Sequence, residues 1–325
     1  MVCSAKYTGK VRLDGKTAIV TGSNTGIGKF TVLDFVKRGT VSSGPIGARV
    51  IMACRDTDKA ETAAKEIRKL SQDVENAGTV EVVSLNLGSL ASVRQCAQEI
   101  LNKCDNIHIL VNNAGVMACP QGKTEDGFET QLGVNHLGHF LFTCLLLPRI
   151  IRSAPARIIN VSSSLHEYGT IQFDDMNMEK SYSATGSYCR SKLANVLFSH
   201  ELAFRLQGTD VTTYSLHPGA VKTELQRHMD DTFFRGAEFI MKGFAALFFK
   251  TPEEGAQTSI YCAVDEKLAD KTGLYYSDCK EKRASAKARD PETAKRLWEV
   301  SAEMVGLGSW DPFTAADGAL PPTAT

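Results

Sequence analysis

Lys16-Thr17-Ala18-Ile19-Val20-Thr21-Gly22-Ser23-Asn24-Thr25-Gly26-Ile27-Gly28 joins a short β-branched run to a glycine-rich turn and then to a helical pattern reaching Lys37. The run Lys16–Thr21 reads as a strand and the stretch from about Ile27 as a helix. Glycines at the mouth of a strand let the chain turn sharply and bring backbone N–H groups against a phosphate. The helix that follows offers its positive end to the same anion. The spacing, Gly22-x-x-x-Gly26-x-Gly28, differs from the more frequent Gly-x-Gly-x-x-Gly, and a purely structural turn is the other reading.

Outward from this turn, strand and helix alternate. Arg49–Cys54, Val80–Leu85, Ile107–Asn112, Ala156–Val161 and Val211–Leu216 read as strands, and Leu274–Tyr276 as a last one. Between them lie helical patterns at Asp58–Val74, Ser89–Cys104 (with Ser89 as its cap), Asp126–Ile150 and Ser187–Gln207. Strands that are apolar throughout are buried on both faces. The pattern predicts an α/β fold, a doubly wound (Rossmann) parallel sheet with helices on both faces, in a single domain. Residues 1–14 read as an N-terminal extension, 15–305 as the domain and 306–325 as a loose tail. Residues 40–47 (TVSSGPIG) read as a surface insertion.

The 325 residues carry 37 Lys+Arg against 37 Asp+Glu, which supplies no basic field for nucleic acid. An apolar content of 43% excludes a disordered chain. The two most apolar stretches, Leu137–Leu147 and Ala237–Phe249, are shorter than a membrane span. Nine scattered cysteines, with neither a Cys-x-x-Cys pair nor zinc spacing, point to reduced thiols and a cytoplasmic location, with no metal site. Met1–Asp14 reads as neither signal peptide nor anchor.

Chemistry-bearing residues recur at successive strand ends. Arg55 follows the second strand, where its planar fork suits a ribose 2′-phosphate, while neighbouring Asp56 suits a free 2′-hydroxyl. Asn113, Ala114 and Gly115 follow the fourth strand, where an amide can hold backbone together. Asn135 sits in an apolar helix, where its amide needs a partner. Ser162-Ser163-Ser164 closes the fifth strand, with cap serines as the bland reading for two of the three. His217-Pro218-Gly219-Ala220-Val221 follows the sixth. Tyr188 and Lys192 lie four apart on one helix face. A lysine cation lowers the ionisation of a nearby phenol, which can then exchange a proton with a carbonyl or alcohol oxygen.

In this order, Thr-Gly-x-x-x-Gly-Ile-Gly, Asn-Asn-Ala-Gly, Tyr-x-x-x-Lys and Pro-Gly resemble the short-chain dehydrogenase/reductase family, from about Gly15 to Tyr276. Asn24–Lys29, Ala53–Asp56, Tyr188–Asn195 and Val211–Gly219 resemble its NADP-preferring retinol dehydrogenase/retinal reductase branch. The resemblance implies that Tyr188 is the general acid/base. Lys192 would depress its ionisation and hold the nicotinamide ribose, and Asn135 would complete a relay through water. Ser163, 25 positions before Tyr188, matches the branch's second serine. Gly22–Gly28 would cradle the pyrophosphate of NADP(H), with Arg55 on its 2′-phosphate. Asn113–Gly115 would line the nicotinamide ribose, and Pro218, Gly219, Val221 and Thr223 its carboxamide side. Asn86-Leu87 stands where the family usually has Asp-Leu near the adenine. NAD(H) is the less favoured cofactor, and residues 40–47 lengthen the loop beside the 2′-phosphate pocket.

In families resembling this one, residues 224–250 cover the substrate, and here Phe233, Phe234, Phe239, Phe244, Phe248 and Phe249 suggest a lipophilic one. Core packing is the bland reading. Arg235, Lys242 and Lys250 also suit an interfacial helix over 233–249, that is, peripheral contact with a membrane such as the endoplasmic reticulum. The expected activity is NADP(H)-linked interconversion of a lipophilic alcohol and its aldehyde or ketone, with retinol/retinal leading. A broad carbonyl or steroid reductase and a cofactor-binding regulator with little turnover are the alternatives. A homo-oligomer is compatible with the sequence.

Overall fold

A computed structural model describes residues 5–39, 47–222 and 249–321. The strands are β1 Thr17–Thr21, β2 Arg49–Cys54, β3 Thr79–Ser84, β4 Ile109–Asn112, β5 Ala156–Val161, β6 Val211–His217, β7 Leu274–Ser277 and β8 Lys280–Glu281. They form one sheet in the order β3-β2-β1-β4-β5-β6-β7-β8. Every pairing from β3 to β7 is parallel, and β8 adds an antiparallel edge. The order reverses between β1 and β4, so a crevice opens at the carboxyl ends of these two strands.

Helices α1 Gly26–Lys37, α2 Thr57–Leu70, α3 Leu90–Lys103, α4 Thr130–Arg152, α5 Ala184–Arg205, α6 Pro252–Val264 and α7 Pro291–Met304 cover the sheet. The core divides accordingly. Val32, Phe35 and Val36 of α1 pack with Ala60, Ala64 and Ile67 of α2 and Ala256 and Ile260 of α6 on one face. Side chains of α3, α4, α5 and α7 fill the other, where Phe140, Phe198 and Trp298 meet ring to ring.

Helix α4 is 23 residues long with a mean hydropathy of 1.3, enough by length and composition to cross a bilayer, but 89% of its apolar window is buried inside the protein. It is a core helix whose polar first turn and π segment hide its length from a reading of apolar runs. Helices α6 and α7 escape the periodicity reading as well. Both carry start signals: Thr251 and Glu254 form a reciprocal capping box, and Asp290 caps Thr293 with Pro291 at the first position. The C-terminal stretch is not loose over its described length. Trp310, Phe313 and Leu320 pack on the core, and Asp317 pairs with Arg149 at 2.6 Å and Arg152 at 3.0 Å. Residues 40–46 and 223–248 lie outside the described residues, so the insertion and the proposed substrate cover are not seen.

Candidate active site

Thr25 begins α1 without a side-chain cap, and no acidic residue stands in the first turn. Asp56, Ser89, Ser183 and Thr251, by contrast, each cap their own helix with a side chain. The first-turn N–H groups of α1 are therefore left to the cleft in front of them, a place suited to an anion. The turn leading into it needs glycine for two reasons. Gly22 has φ +60°, and a Cβ there would come within 2.7 Å of the Ala114 Cβ. A Cβ on Gly28 would meet the Asn113 amide nitrogen at 2.6 Å and the Gly22 carbonyl at 2.7 Å. Asn113 fastens this approach by donating from Nδ2 to the carbonyls of Thr21 (2.8 Å) and Gly22 (3.1 Å).

The cleft encloses about 420 Å³, and its walls come from the ends of β1, β2, β4 and β5 together with α5. Of the residues expected from sequence, Gly22, Asn24, Thr25, Gly26, Ile27, Arg55, Asn86, Leu87, Asn113, Ala114, Gly115, Tyr188, Lys192 and Pro218 line it. Ser23 turns inward, donating to the Val20 carbonyl at 3.0 Å. Gly28 lies beneath the turn, Gly219 and Val221 stand behind Pro218, and Thr223 lies outside the described residues. Lys59 also faces the cleft and was not singled out from sequence; its place, one helical turn after Arg55, is the signal that could have found it.

Arg55 and Asp56 both line the cleft. The Asp56 carboxylate accepts the Lys59 backbone N–H at 2.9 Å as the cap of α2. Asn86 is also engaged: its oxygen accepts from Gly88 N–H at 3.1 Å and its Nδ2 donates to Glu125 at 3.1 Å.

On the opposite wall, Tyr188 is 5% exposed, and the nearby Ser163 hydroxyl favours its ionised form. The Ser162 hydroxyl is spent on the Lys192 carbonyl at 2.7 Å, so the second serine is the one that faces the phenol. Lys192, 3% exposed, donates from Nζ to the Val161 carbonyl at 3.1 Å and lies 5.6 Å from the Tyr188 ring centroid. Burial pushes the Tyr188 ionisation up, against the opposing pull of Ser163, and pushes Lys192 down to about 8. Burial thus dominates the Tyr188 ionisation in the free protein, and the hydroxyl is protonated at neutral pH.

Asn135 lies in a π turn, Gly133–Leu137, set into α4. Its amide pairs with both backbone groups of Val116, at 2.8 and 2.9 Å, and donates to Ser191 Oγ at 2.9 Å. Ser191 in turn donates to the Tyr188 carbonyl at 2.8 Å. The Asn135 side chain is therefore a strut between the cleft wall and the helix that carries Tyr188. A second strut is Glu129, whose carboxylate caps the start of α4 at Gln131 and Leu132 and reaches Arg190 of α5 at 3.5 Å.

Because Lys192 loses its charge near pH 8 in the free protein, kcat/KM for NADPH is expected to stay level up to about pH 7. Above about pH 8 it should fall by up to about tenfold per pH unit. The group carries charge below its value, so the loss lies on the alkaline side. A profile level through pH 9.5 would exclude this role for Lys192.

A family model described as short chain dehydrogenase matches residues 16–232. Retinol dehydrogenase 12 of Homo sapiens is 51% identical over 297 residues, covering 91% of this chain and 88% of that protein. Retinol dehydrogenase 11 of Mus musculus is 49% identical, covering 94% and 92%. A solved structure of a putative uncharacterized protein from Mycobacterium Paratuberculosis superposes with a TM-score of 0.69 at 32% identity, covering 91% of this chain and 95% of that one.

Proposed function

The chain belongs to the short-chain dehydrogenase family of NAD(P)(H)-linked oxidoreductases, and on that premise we propose that it interconverts a lipophilic alcohol and its aldehyde with NADP(H), retinol and retinal being the favoured pair. The observation that carries the reading is that Tyr188 and Lys192 open on the same cleft as the uncapped α1 terminus and Arg55. The names of the relatives, all retinol dehydrogenases at about half identity, support the substrate class.

When bound, NADP(H) supplies or accepts the hydride; proton handling and orientation fall to the protein. Gly22–Ile27 and the α1 terminus hold the pyrophosphate, and Asn113–Gly115 with Lys192 hold the nicotinamide ribose. In the reductive direction the Tyr188 hydroxyl, kept protonated by burial, gives its proton to the carbonyl oxygen as negative charge develops there. Ser163 donates to the same oxygen and fixes its position. In the oxidative direction the Tyr188 phenolate, favoured by the Lys192 cation, takes the alcohol proton and becomes the phenol.

The test is NADPH oxidation by the pure protein with all-trans-retinal, beside a panel of simple ketones and steroids. Faster turnover of retinal supports the reading, and equal or faster turnover of ketones or steroids replaces it with a broad carbonyl reductase. Preference for NADP(H) rests on Arg55, since the neighbouring carboxylate is committed to α2. Arg55→Ala is expected to weaken NADPH binding by about 10- to 100-fold, the scale of a lost charge-assisted contact, and NADH binding far less. Equal weakening of the two, read by cofactor fluorescence, would remove the 2′-phosphate role.

We also propose that residues 224–250 cover the substrate. The two sides of this segment meet in the sheet edge: Lys250 N–H donates to the Ala220 carbonyl at 2.7 Å and Lys222 N–H to the Lys250 carbonyl at 3.1 Å. Lys250, paired with Asp278, lies against Gly219, where φ is +98° and a Cβ would fall 2.7 Å from the lysine side chain.

A further inference from the structure

His139 is 2% exposed and stands in α4 just after the π turn. Its Nδ1 lies 3.1 Å from the Asn135 carbonyl oxygen, which can only accept, so Nδ1 carries the proton and donates. Burial pushes the imidazole down to about 3, so the ring is neutral and Nε2 is an acceptor. The partner of Nε2, at 2.8 Å, is the Thr21 hydroxyl. That hydroxyl already accepts the N–H groups of Asn113 (2.9 Å) and Ala114 (3.0 Å), leaving its hydrogen to donate to Nε2. Every lone pair and hydrogen in this set has a use, and only the Nδ1–H form of the ring satisfies it.

We propose that His139 is a positioning residue for the oxidoreductase reaction. It locks the Asn113–Ala114 wall of the cleft, through the Thr21 hydroxyl, to the Asn135 carbonyl and so to the helix that bears Tyr188 and Lys192. The links form one continuous chain: Asn113 and Ala114 N–H, Thr21 hydroxyl, His139, Asn135, Ser191, Tyr188 carbonyl. It spans the switch point of the sheet, from the end of β1 to α5. The spacing between the wall assigned to the nicotinamide ribose and the Tyr188 hydroxyl is therefore set by hydrogen bonds of fixed polarity as well as by packing. A positional error of about 1 Å between reacting groups costs about a hundredfold in rate, which gives a residue with no contact to the cleft a lever on turnover. The π turn contributes by breaking the regular pattern, Gly138 N–H donating five residues back to Gly133, beside a carbonyl that the imidazole then engages.

The inference rests on the oxidoreductase reading, and the test separates the two. In protein carrying ¹⁵N-labelled histidine, the His139 ring is expected to give the neutral Nδ1–H pattern from pH 8 down to pH 5, assigned by its loss in His139→Gln. An Nε2–H pattern, or protonation above pH 5, would overturn the proposal whatever the substrate. His139→Phe keeps the ring volume and removes both bonds. It is expected to lower kcat at least about tenfold with KM for the carbonyl substrate within about threefold. His139→Gln, which keeps a donor and an acceptor, is expected to recover part of that loss. Equal kcat in the two variants, or an unchanged kcat in His139→Phe, would reduce His139 to a core residue. Failure of the unsubstituted protein to turn over any carbonyl would instead remove the oxidoreductase reading, with the ring tautomer and NADPH affinity still deciding the role of His139.

Discussion

Replacing Tyr188 with phenylalanine is expected to lower kcat for NADPH-dependent reduction by about 10²–10⁴-fold while NADPH affinity changes little. The substitution removes one oxygen and leaves the ring, which is 5% exposed and packed within α5, so the cleft keeps its shape. What is lost is a proton donor for which no neighbour can substitute. The Ser162 hydroxyl is bound to the Lys192 carbonyl, and Lys192 holds the Val161 carbonyl. Ser163 remains, but an aliphatic hydroxyl is a far weaker acid than a phenol and can orient the substrate oxygen without protonating it. Since burial holds the phenol protonated, the loss should be present across neutral pH and should not be recovered by moderate acid. Single-turnover rates beside cofactor-fluorescence titrations would measure both halves of the claim. Comparable rates in the two proteins would remove Tyr188 from the chemistry.

A second large effect concerns stability rather than turnover. Five of the six histidines among the described residues are pushed below their ordinary value, all chiefly by burial: His108, His136 and His217 to about 4, His139 to about 3, and His166 in the same direction. In the unfolded chain these rings take protons below about pH 6.5, whereas in the fold His108, His136 and His217 stay neutral until about pH 4 and His139 until about pH 3. As pH falls through that window the unfolded state gains protons that the folded state does not, so stability declines. For His136 and His139, which are 1% and 2% exposed, the cost of reaching pH 4 is on the order of 3 kcal/mol each. Two such terms are a large part of an ordinary domain's stability. The urea midpoint is expected to hold between pH 8 and 7 and to drop steeply from pH 6 to 4.5. A midpoint unchanged at pH 5 would mean that these rings are charged within the fold.

The contrast between these two effects shows where the sequence was legible. Order and spacing of motifs carried the fold and singled out Tyr188, Lys192 and the glycine turn, which the structure brings to one cleft, because each sits where a strand ends or a helix face repeats. The state of those groups was not legible. A lysine four residues from a tyrosine predicts a depressed phenol, and only the burial of both shows that desolvation wins. Arg55 was the favoured candidate from sequence with Asp56 the alternative, and the cap that Asp56 forms on α2 could not be read there. His139 drew no assignment from sequence, because its partners, Thr21 and Asn135, belong to different elements. The C-terminal stretch read as loose because its anchors, Arg149 and Arg152, lie far away in α4.

The clasp between Val221 and Lys250 has a consequence for how this scaffold changes over time. This bridge, outside the named strands, ties together the points where the chain departs and returns. Lengthening such an excursion twofold costs about 0.6 kcal/mol in closure entropy. Selection can therefore rewrite the intervening residues in length and polarity with little penalty elsewhere, and chemistry and substrate range become separately heritable traits of one chain.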